Sequence, residues 1–294
     1  MKRRVFAYPY IVWMVLFIVV PMLFIFFYAV NVRGEWTLTK AWATLTDAGK
    51  WNVLWISIVM AFKTTALCLL LGYPIAYILS KMKPSVAGFI SVLFFVPMWM
   101  NFVLRTYAWQ AILEYFLPNV MESGARVLVR ILPQEFVTRF WPELIGYRCA
   151  SLTGTEGAVL MVLVYNFLPF MVMPLYNTLA KLDKSLLEAA RDLGANSFTT
   201  FFRVILPLSV PGIVSGITMV FIPAITAFTV PALIGNGKYN LYGNEIELAF
   251  KTLSGQGDFA VGSTLSLILL LCVLVSTVIM NYFDKDQKEG GQMW

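Results

Sequence analysis

The sequence predicts an all-α integral membrane protein with six transmembrane helices. Hydrophobic residues make up 59% of the 294 residues and charged residues only 13%, whereas a typical soluble domain carries about 25% charged residues. The apolar residues also occur in runs long enough to cross a ~30 Å hydrocarbon layer as helices. We therefore predict spans at residues 5–32, 53–79, 86–112, 157–179, 208–230 and 259–283, with a short helix at 244–252 before the last span.

The first apolar run follows Met1-Lys2-Arg3-Arg4 and continues for 28 residues without a charge. It is too long for the hydrophobic core of a signal peptide, and no small-residue cleavage site follows it. We interpret this run as an uncleaved first transmembrane helix. Together with an external loop, it occupies residues 1–50.

The distribution of Lys and Arg predicts the orientation. Six spans place both termini on one side, together with segments 80–85 and 181–206, and that side carries eleven Lys and Arg residues. The opposite side is almost twice as long and carries nine. By the positive-inside rule, both termini and the 181–206 loop are cytoplasmic. The net charge of +6 is then largely an orientation signal and does not call for a nucleic-acid partner.

The residues that usually carry enzyme chemistry are missing. The chain has no histidine, the commonest general base and metal ligand. Its three cysteines, Cys68, Cys149 and Cys272, form neither a disulfide framework nor a zinc spacing. The nearest match to a phosphate-binding loop, at 235–239, lacks the first glycine spacing and the Ser/Thr. We expect no catalytic site, no metal site and no directly bound cofactor.

The segment 186–207 is the longest polar interruption between two spans on the predicted cytoplasmic side. Ser185 and Glu188 have the spacing of a capping box, in which a hydroxyl and a carboxylate satisfy amide donors at a helix start. Gly194 stands where a residue in the left-handed conformation ends a helix. These signals predict a short helix between Ser185 and Gly194.

A second short helix is predicted to follow. Asn196 or Ser197 can cap it, and we expect it to end near Pro207 because proline lacks the amide donor. The first helix carries small or apolar residues on one face, at Leu186, Ala189, Ala190 and Leu193. Such a face favours a surface that another protein holds, although any polytopic protein needs capped helices in its loops.

At these residues the chain resembles the permeases of type I ABC importers. The stretch Glu188-Ala189-Ala190, then Gly194, then Val204-Ile205-Leu206-Pro207 matches their EAA loop, with Val204 where Ile is usual. The resemblance implies the MetI-like architecture, with a cytoplasmic coupling helix that docks into the ATP-hydrolysing subunit. The residues implied in this ATPase coupling are Leu186, Glu188, Ala189, Ala190, Asp192, Gly194 and Pro207.

Further stretches are similar to one branch of that family, the spermidine/putrescine importer permeases. The matching stretches are 71–74, 95–109, 168–176, 181–184, 207–213 and 243–244. The resemblance makes residues 51–283 the transporter domain, with its coupling loop at 181–206, and leaves 284–294 as a cytoplasmic tail. The external loop 113–156 is longer than the branch leads us to expect, and its role stays open.

The resemblance implies a non-catalytic permease subunit in the bacterial cytoplasmic membrane that imports polyamines. Besides the bilayer, the implied partners are a dimer of ATP-binding subunits on the cytoplasmic side, a second homologous permease and an extracytoplasmic polyamine-binding protein. ATP and Mg would be used by the ATPase. Relatives carry iron, sulfate or thiamine, so another solute is one alternative. A stand-alone secondary transporter is another, disfavoured because neither midplane acids nor inverted repeats are evident.

A polycation that crosses the bilayer needs carboxylates, carbonyl oxygens or aromatic faces in place of its hydration shell. The candidates near the outer side are Trp99, Asn101, Arg105, Tyr107, Trp109, Glu245, Glu247 and Asp258. The aromatic residues fit an ordinary belt at the headgroups equally well. Arg105 would repel a polycation unless an acid from the outer loops pairs with it. Lys63 is expected to extend to the outer interface.

Overall fold

The structure is a computed structural model that describes residues 7–32, 35–131, 151–251 and 258–290. The chain divides into two compact units, residues 1–58 with 241–294, and residues 59–240. The expectations for Cys149, for much of the external loop and for the ends of both termini lie outside the described residues.

Helices account for most of the described chain. In the first half they are α1 (Ala7–Met14), α2 (Val20–Val30), α3 (Thr39–Thr46), α4 (Ala48–Lys81), α5 (Pro84–Phe95), α6 (Phe102–Ala111) and α7 (Leu117–Ile131). In the second half they are α8 (Glu156–Leu179), α9 (Lys184–Asp192), α10 (Ser197–Thr200), α11 (Leu206–Ile225), α12 (Thr229–Ile234), α13 (Tyr242–Phe250) and α14 (Phe259–Gly290).

Shorter elements connect several of these helices. Wider π turns join α1 to α2, α6 to α7 and α10 to α11, at Val15–Val19, Ile112–Phe116 and Phe201–Ile205. A 3-10 turn, Val96–Trp99, extends α5. After α2, strands β1 (Asn31–Val32) and β2 (Glu35–Trp36) pair antiparallel, with Asn31 opposite Trp36.

Five helices of the described chain are long and apolar enough to cross a membrane: Pro9–Val30, Ala48–Lys81, Glu156–Leu179, Ser197–Ile225 and Phe259–Met280. A sixth candidate is the helix pair Pro84–Trp99 and Phe102–Gly124, whose two arms pass the same test together and meet at 86°. Each of the six predicted spans therefore has a helical counterpart, and the short helix predicted before the last span is α13. The third span, predicted as residues 86–112, is therefore bent and is not one continuous helix.

The bend in the third span has a local cause. Pro97 lies in the 3-10 turn after α5 and has no backbone N–H to donate. Met100 is extended, and Asn101 starts α6 by accepting hydrogen bonds from the N–H groups of Val103 and Leu104, at 2.8 and 3.4 Å. Because both arms are apolar, the hydropathy of the segment does not reveal the break.

In the unit formed by residues 1–58 and 241–294, α2 and α13 both pack against α14. The rings of Tyr28 and Phe259 are 5.7 Å apart between centroids. In the buried part of this unit, the Ser57 hydroxyl accepts a hydrogen bond from the N–H of Tyr242 at 2.7 Å. The start of α4 is thereby tied to the start of α13.

In the unit formed by residues 59–240, the central helix is α8, and twelve of its 24 residues are buried. A helix buried on so many sides has apolar residues all around it. It packs along α11 at two glycines, Gly212 and Gly216. A Cβ atom on Gly212 would lie 2.7 Å from Oγ1 of Thr178 and 3.0 Å from the carbonyl oxygen of Pro174. The backbone of α11 therefore lies so close to α8 that no side chain fits between them at Gly212.

Candidate functional site

The coupling loop, residues 181–206, contains the predicted first helix as α9. Its N-cap is Asp183, whose carboxylate accepts a hydrogen bond from the N–H of Ser185 at 2.9 Å. The assignment of Ser185 as the cap was therefore wrong, because the helix begins at Lys184 and Ser185 is already inside it. The hydrogen bonds that Ser185 donates from its backbone and its side chain lower the pKa of Asp183.

The end of α9 is as predicted. Gly194 has φ +79°, in the left-handed region. Its N–H donates to the carbonyl of Arg191 at 2.8 Å, and the N–H of Ala195 donates to the carbonyl of Ala190 at 3.0 Å. This pair of bonds is a Schellman motif, which satisfies the carbonyls left free at a helix end.

The apolar face of α9 is largely uncovered by the part of the chain that the structure describes. Leu193 is 89% exposed and Leu186 is 47% exposed. Ala189, between them on the same face, is also exposed, and Ala190 is half-buried. None of the described residues covers these leucines, although the helix that carries them is capped at both ends.

The other side of α9 borders a cavity of about 570 Å³ next to the C-terminal ends of α4 and α8. Leu187, Glu188 and Arg191 line it from α9. Lys81 lines it from α4, with its Nζ 4.1 Å from the centroid of the Tyr77 ring. The coupling loop is therefore only partly packed against the rest of its unit.

The second helix of the loop starts as predicted and ends differently. Asn196 caps it by accepting from the N–H of Thr199 at 2.7 Å. The expected stop near Pro207 is wrong, because the helix continues to Ile225. A π turn precedes the proline, and the N–H of Leu206 donates to the carbonyl of Phe201 five residues back. With the spacing already widened there, the missing N–H of Pro207 interrupts no regular i→i−4 ladder.

The candidate path residues of the third span lie on the 3-10 turn and on α6. Trp99 is 81% exposed and Tyr107 is 51% exposed. Trp109 packs against Tyr165 of α8, with ring centroids 5.1 Å apart. The Asn101 oxygen that was a candidate for a cation already accepts two backbone hydrogen bonds as the cap of α6.

Arg105 is the buried member of this group, with 8% of its surface exposed. Its Nη1 donates to the carbonyl oxygen of Pro97 at 3.0 Å, and its Nε is buried without a hydrogen-bond partner. The guanidinium carbon is 5.9 Å from the centroid of the Tyr165 ring. Among the described residues, the ion pairs of the outer acids are formed with lysines and none includes Arg105.

The candidate acids are already paired. In the unit of residues 1–58 and 241–294, the three acid–lysine pairs are Glu245 with Lys50, Glu247 with Lys251, and Asp258 with Lys40. Burial favours the protonated form of Asp258, but Lys40 and the backbone N–H groups of Val261 and Ala260 together outweigh it, so the pKa of Asp258 lies below its ordinary value. In the other unit, Glu156 pairs with Lys63, a pairing that was not predicted from the sequence.

These lysine partners were not identified from the sequence, because the paired residues are 93, 195 and 218 positions apart in three of the four pairs. Only Glu247 and Lys251 have the i, i+4 spacing of a helical pair. Among the described residues, no group of three or more Asp, Glu, Cys or His side chains is placed to hold a metal ion.

Residues 69–289 match the family described as "Binding-protein-dependent transport system inner membrane component". The chain belongs to this family. The permease is 34% identical to the spermidine/putrescine transport system permease protein PotB of Haemophilus influenzae, over 90% of this chain and 88% of that protein. It is 37% identical to PotB of Escherichia coli, over 90% and 92%. The inner membrane ABC transporter permease protein YdcU of Escherichia coli is 27% identical, over 87% and 80%.

Solved structures show the same fold. A bacterial ABC transporter involved in the import of the acidic polysaccharide alginate matches with a TM-score of 0.69 and 14% identity, over 97% of the permease and 96% of that chain. The alginate transporter in complex with its alginate-bound periplasmic protein matches with a TM-score of 0.68 and 13% identity, over 97% and 94%. The predicted ABC-importer permease fold is confirmed, and the permease is a multi-pass protein of the inner membrane.

Proposed function

We propose that this permease is one of two membrane subunits of an ATP-driven importer that brings polyamines such as spermidine and putrescine into the cytoplasm. Two ATP-binding subunits would sit on the cytoplasmic side and a polyamine-binding protein on the outer side. ATP and Mg would be used by the ATPase, and this chain would have no catalytic role. Both termini and the coupling loop would be cytoplasmic, as the excess of Lys and Arg on that side favours.

The observation that carries the proposal is the exposed apolar face of α9. Leu186 and Leu193 extend from a helix that Asp183 and the Gly194 motif hold in shape at both ends. A rigid helix with an apolar face suits a groove in another protein, because little conformational entropy is lost on docking. The EAA pattern that the loop shares with importer permeases supports an ATPase as that protein.

The cargo is proposed from the relatives. Two proteins that are 34% and 37% identical to the permease over about nine-tenths of the chain bear the name of spermidine/putrescine permeases. The acid–lysine pairs of the structure suit the same cargo, since lysine carries a primary alkylammonium group as polyamines do. An incoming polyamine would exchange with Lys50 at Glu245 or with Lys40 at Asp258 without leaving a carboxylate unpaired. In the unit of residues 59–240, Trp99, Tyr107 and Trp109 would offer aromatic faces to a cation.

Reconstitution tests both parts of the proposal. The permease is inserted in nanodiscs with its second permease, the ATPase and the binding protein, and ATP hydrolysis is measured with and without spermidine. Leu193→Asp should remove the stimulation and leave the folded permease intact, because that side chain is exposed. Leu193→Met is the matched control and should keep the stimulation, because it keeps the apolar surface.

Two results would contradict the proposal. If Leu193→Asp hydrolyses ATP and takes up spermidine like the unchanged complex, α9 is not the coupling element. If the permease alone moves spermidine in liposomes, it is a stand-alone transporter. Sulfate, iron and thiamine are tested in the same preparation. If one of them stimulates ATP hydrolysis and spermidine does not, that solute is the cargo and the polyamine assignment is wrong.

A further inference from the structure

A cavity of about 310 Å³ lies where the third span bends, between α5 and α8. Its walls are almost entirely apolar and include Ile90, Leu93 and Phe94 from α5 and Leu168 from α8. Arg105 is the one charged residue in its lining. The volume is at the lower end of the range in which proteins bind small molecules.

The guanidinium of Arg105 is not fully satisfied by the protein. The Pro97 carbonyl accepts from Nη1, and Nε is buried with no partner. A buried charge without a counter-charge is costly unless an anion or several hydrogen-bond acceptors reach it. Among the described residues, no acidic side chain lines the cavity, and the ion pairs found there join acids to lysines and do not include Arg105. The uncompensated charge of Arg105 therefore favours the binding of an anion from outside the protein.

The position in the bilayer restricts what that anion is. From Pro84 to Trp99 the chain rises through twelve α-helical and four 3-10 residues, roughly 26 Å in total. This is close to the full ~30 Å of the hydrocarbon layer, so the bend lies near the boundary opposite Lys83. After the 86° bend, α6 runs along that boundary. Arg105 is then at the depth of the headgroups.

The apolar part of the cavity lies deeper than Arg105. Leu93 and Ile90 are one and two helical turns before Pro97 on α5, which places them farther inside the hydrocarbon layer. The cavity thus has a cationic end at the headgroups and an apolar end among the acyl chains. A ligand with an anionic head and a hydrocarbon tail has this same arrangement.

We infer that the cavity binds one acidic phospholipid of the outer leaflet, with its phosphate at Arg105 and one acyl chain along Leu93 and Ile90. Arg forms two-point, charge-assisted hydrogen bonds with phosphate, and Nε is free to donate one of them. A polyamine is excluded, because Arg105 repels it. A free phosphate would leave the apolar part of the cavity empty and would gain no binding free energy from its apolar walls.

The experiment is native mass spectrometry of the full-length permease in detergent, with dioleoyl phosphatidylglycerol or dioleoyl phosphatidylcholine added. The unchanged permease should retain one phosphatidylglycerol in preference to phosphatidylcholine. Arg105→Gln should lower the retained phosphatidylglycerol about tenfold, as expected for losing a charged hydrogen bond. It should lower phosphatidylcholine less, because the choline group of that lipid already offsets the phosphate charge. Lys63→Gln is the matched control, because it removes a cation of the same unit outside the cavity, and it should retain the lipid.

A second variant tests the apolar end without touching the charge. Leu93→Trp fills the cavity and should also release phosphatidylglycerol, although Arg105 is present. Since Leu93 is 56% exposed, this variant is expected to fold even if Arg105→Gln does not. Size-exclusion chromatography of each variant verifies the folded state.

Three outcomes would overturn the inference. Equal retention of the two lipids by the unchanged permease would show that the site does not distinguish an anionic headgroup from a zwitterionic one. Displacement of the lipid by millimolar glycerol phosphate would show a site for a free anion. Cross-linking of Leu93→Cys to the second permease in the assembled complex would show that protein covers the cavity.

Discussion

The side-chain oxygen of Asn101 accepts a hydrogen bond from the backbone N–H of Val103 at 2.8 Å, and this contact starts the second arm of the bent third span. Asn101→Ala removes the cap and should lower the free energy of unfolding by about 1 kcal/mol. Asn101→Asp keeps an acceptor oxygen and should be close to the unchanged protein. Thermal unfolding of the purified permease in detergent measures both, and equal midpoints for the two variants would contradict the assigned role.

Gly194 and Gly237 provide a matched pair of left-handed glycines. They have φ values of +79° and +69°, and nothing lies within 4 Å of a Cβ atom on either. Alanine at each position should therefore cost a similar amount, about 1–2 kcal/mol, through backbone conformation alone. Because only Gly194 shapes the coupling loop, only Gly194→Ala should reduce spermidine uptake by the reconstituted complex. Gly194→Asn should retain more uptake, since Asn tolerates the left-handed region.

For Gly194, thermal unfolding and uptake are measured on the same preparations. Loss of uptake in Gly237→Ala to the same extent would show that the effect comes from stability and not from the shape of the loop.

The contact between α8 and α11 predicts a graded series of glycine substitutions. Gly212→Ala meets the carbonyl oxygen of Pro174 at 3.0 Å, and backbone cannot easily move away, so about 1–3 kcal/mol of stability should be lost. Gly216→Ala meets the Met171 sulfur, the movable part of a flexible side chain, and should cost less. Gly88→Ala in α5 is the control, because nothing lies within 4 Å of its added methyl group.

Thermal unfolding midpoints rank the three variants. An order in which Gly88→Ala is as damaging as Gly212→Ala would rule out close approach of α8 and α11 as the cause.

The Asp183 cap predicts a pH dependence at the start of α9. Its pKa is lowered by the hydrogen bonds from Ser185, so the ionised form stabilises the helix at pH values above the ordinary pKa of Asp. That stabilisation is lost as the pH falls through the lowered pKa. Asp183→Asn keeps an acceptor and removes this dependence, whereas Asp183→Ala removes the cap at every pH.

Hydrogen exchange of the peptide that contains residues 184–190 follows the Asp183 cap, with rates corrected for the intrinsic effect of pH. Equal protection in Asp183→Ala and in the unchanged permease at pH 7 would contradict the assigned cap.

What the sequence predicts well is local. The spans follow from runs of apolar residues, and the end of α9 follows from one glycine followed by the next capping residue. Ser185 and Asp183 show the limit of such signals, because both are good caps two positions apart and only the backbone conformation selects between them. Pro207 shows another limit, since its effect depends on whether the preceding turn is already widened.

The contacts made over long sequence separations could not be predicted. The acid–lysine pair of Glu245 and Lys50 forms because α13 packs near the start of α4. No local pattern in the sequence predicts that packing. The burial of Arg105 depends in the same way on the bend at Pro97. Both findings change the interpretation of the candidate path, because acids that look available are occupied and a cation that looks exposed is covered.

The coupling loop continues into α11 without a coil on its C-terminal side. Ser197 to Ile225 form 29 residues of uninterrupted helix, roughly 43 Å long, and the π turn within it widens the helix without ending it. An axial displacement of Asn196 is therefore delivered to Gly212 and Gly216, where α11 touches α8 without intervening side chains of its own. A small shift at Asn196 is therefore passed to α8 at these two glycines, since the helix between them contains no coil to absorb it.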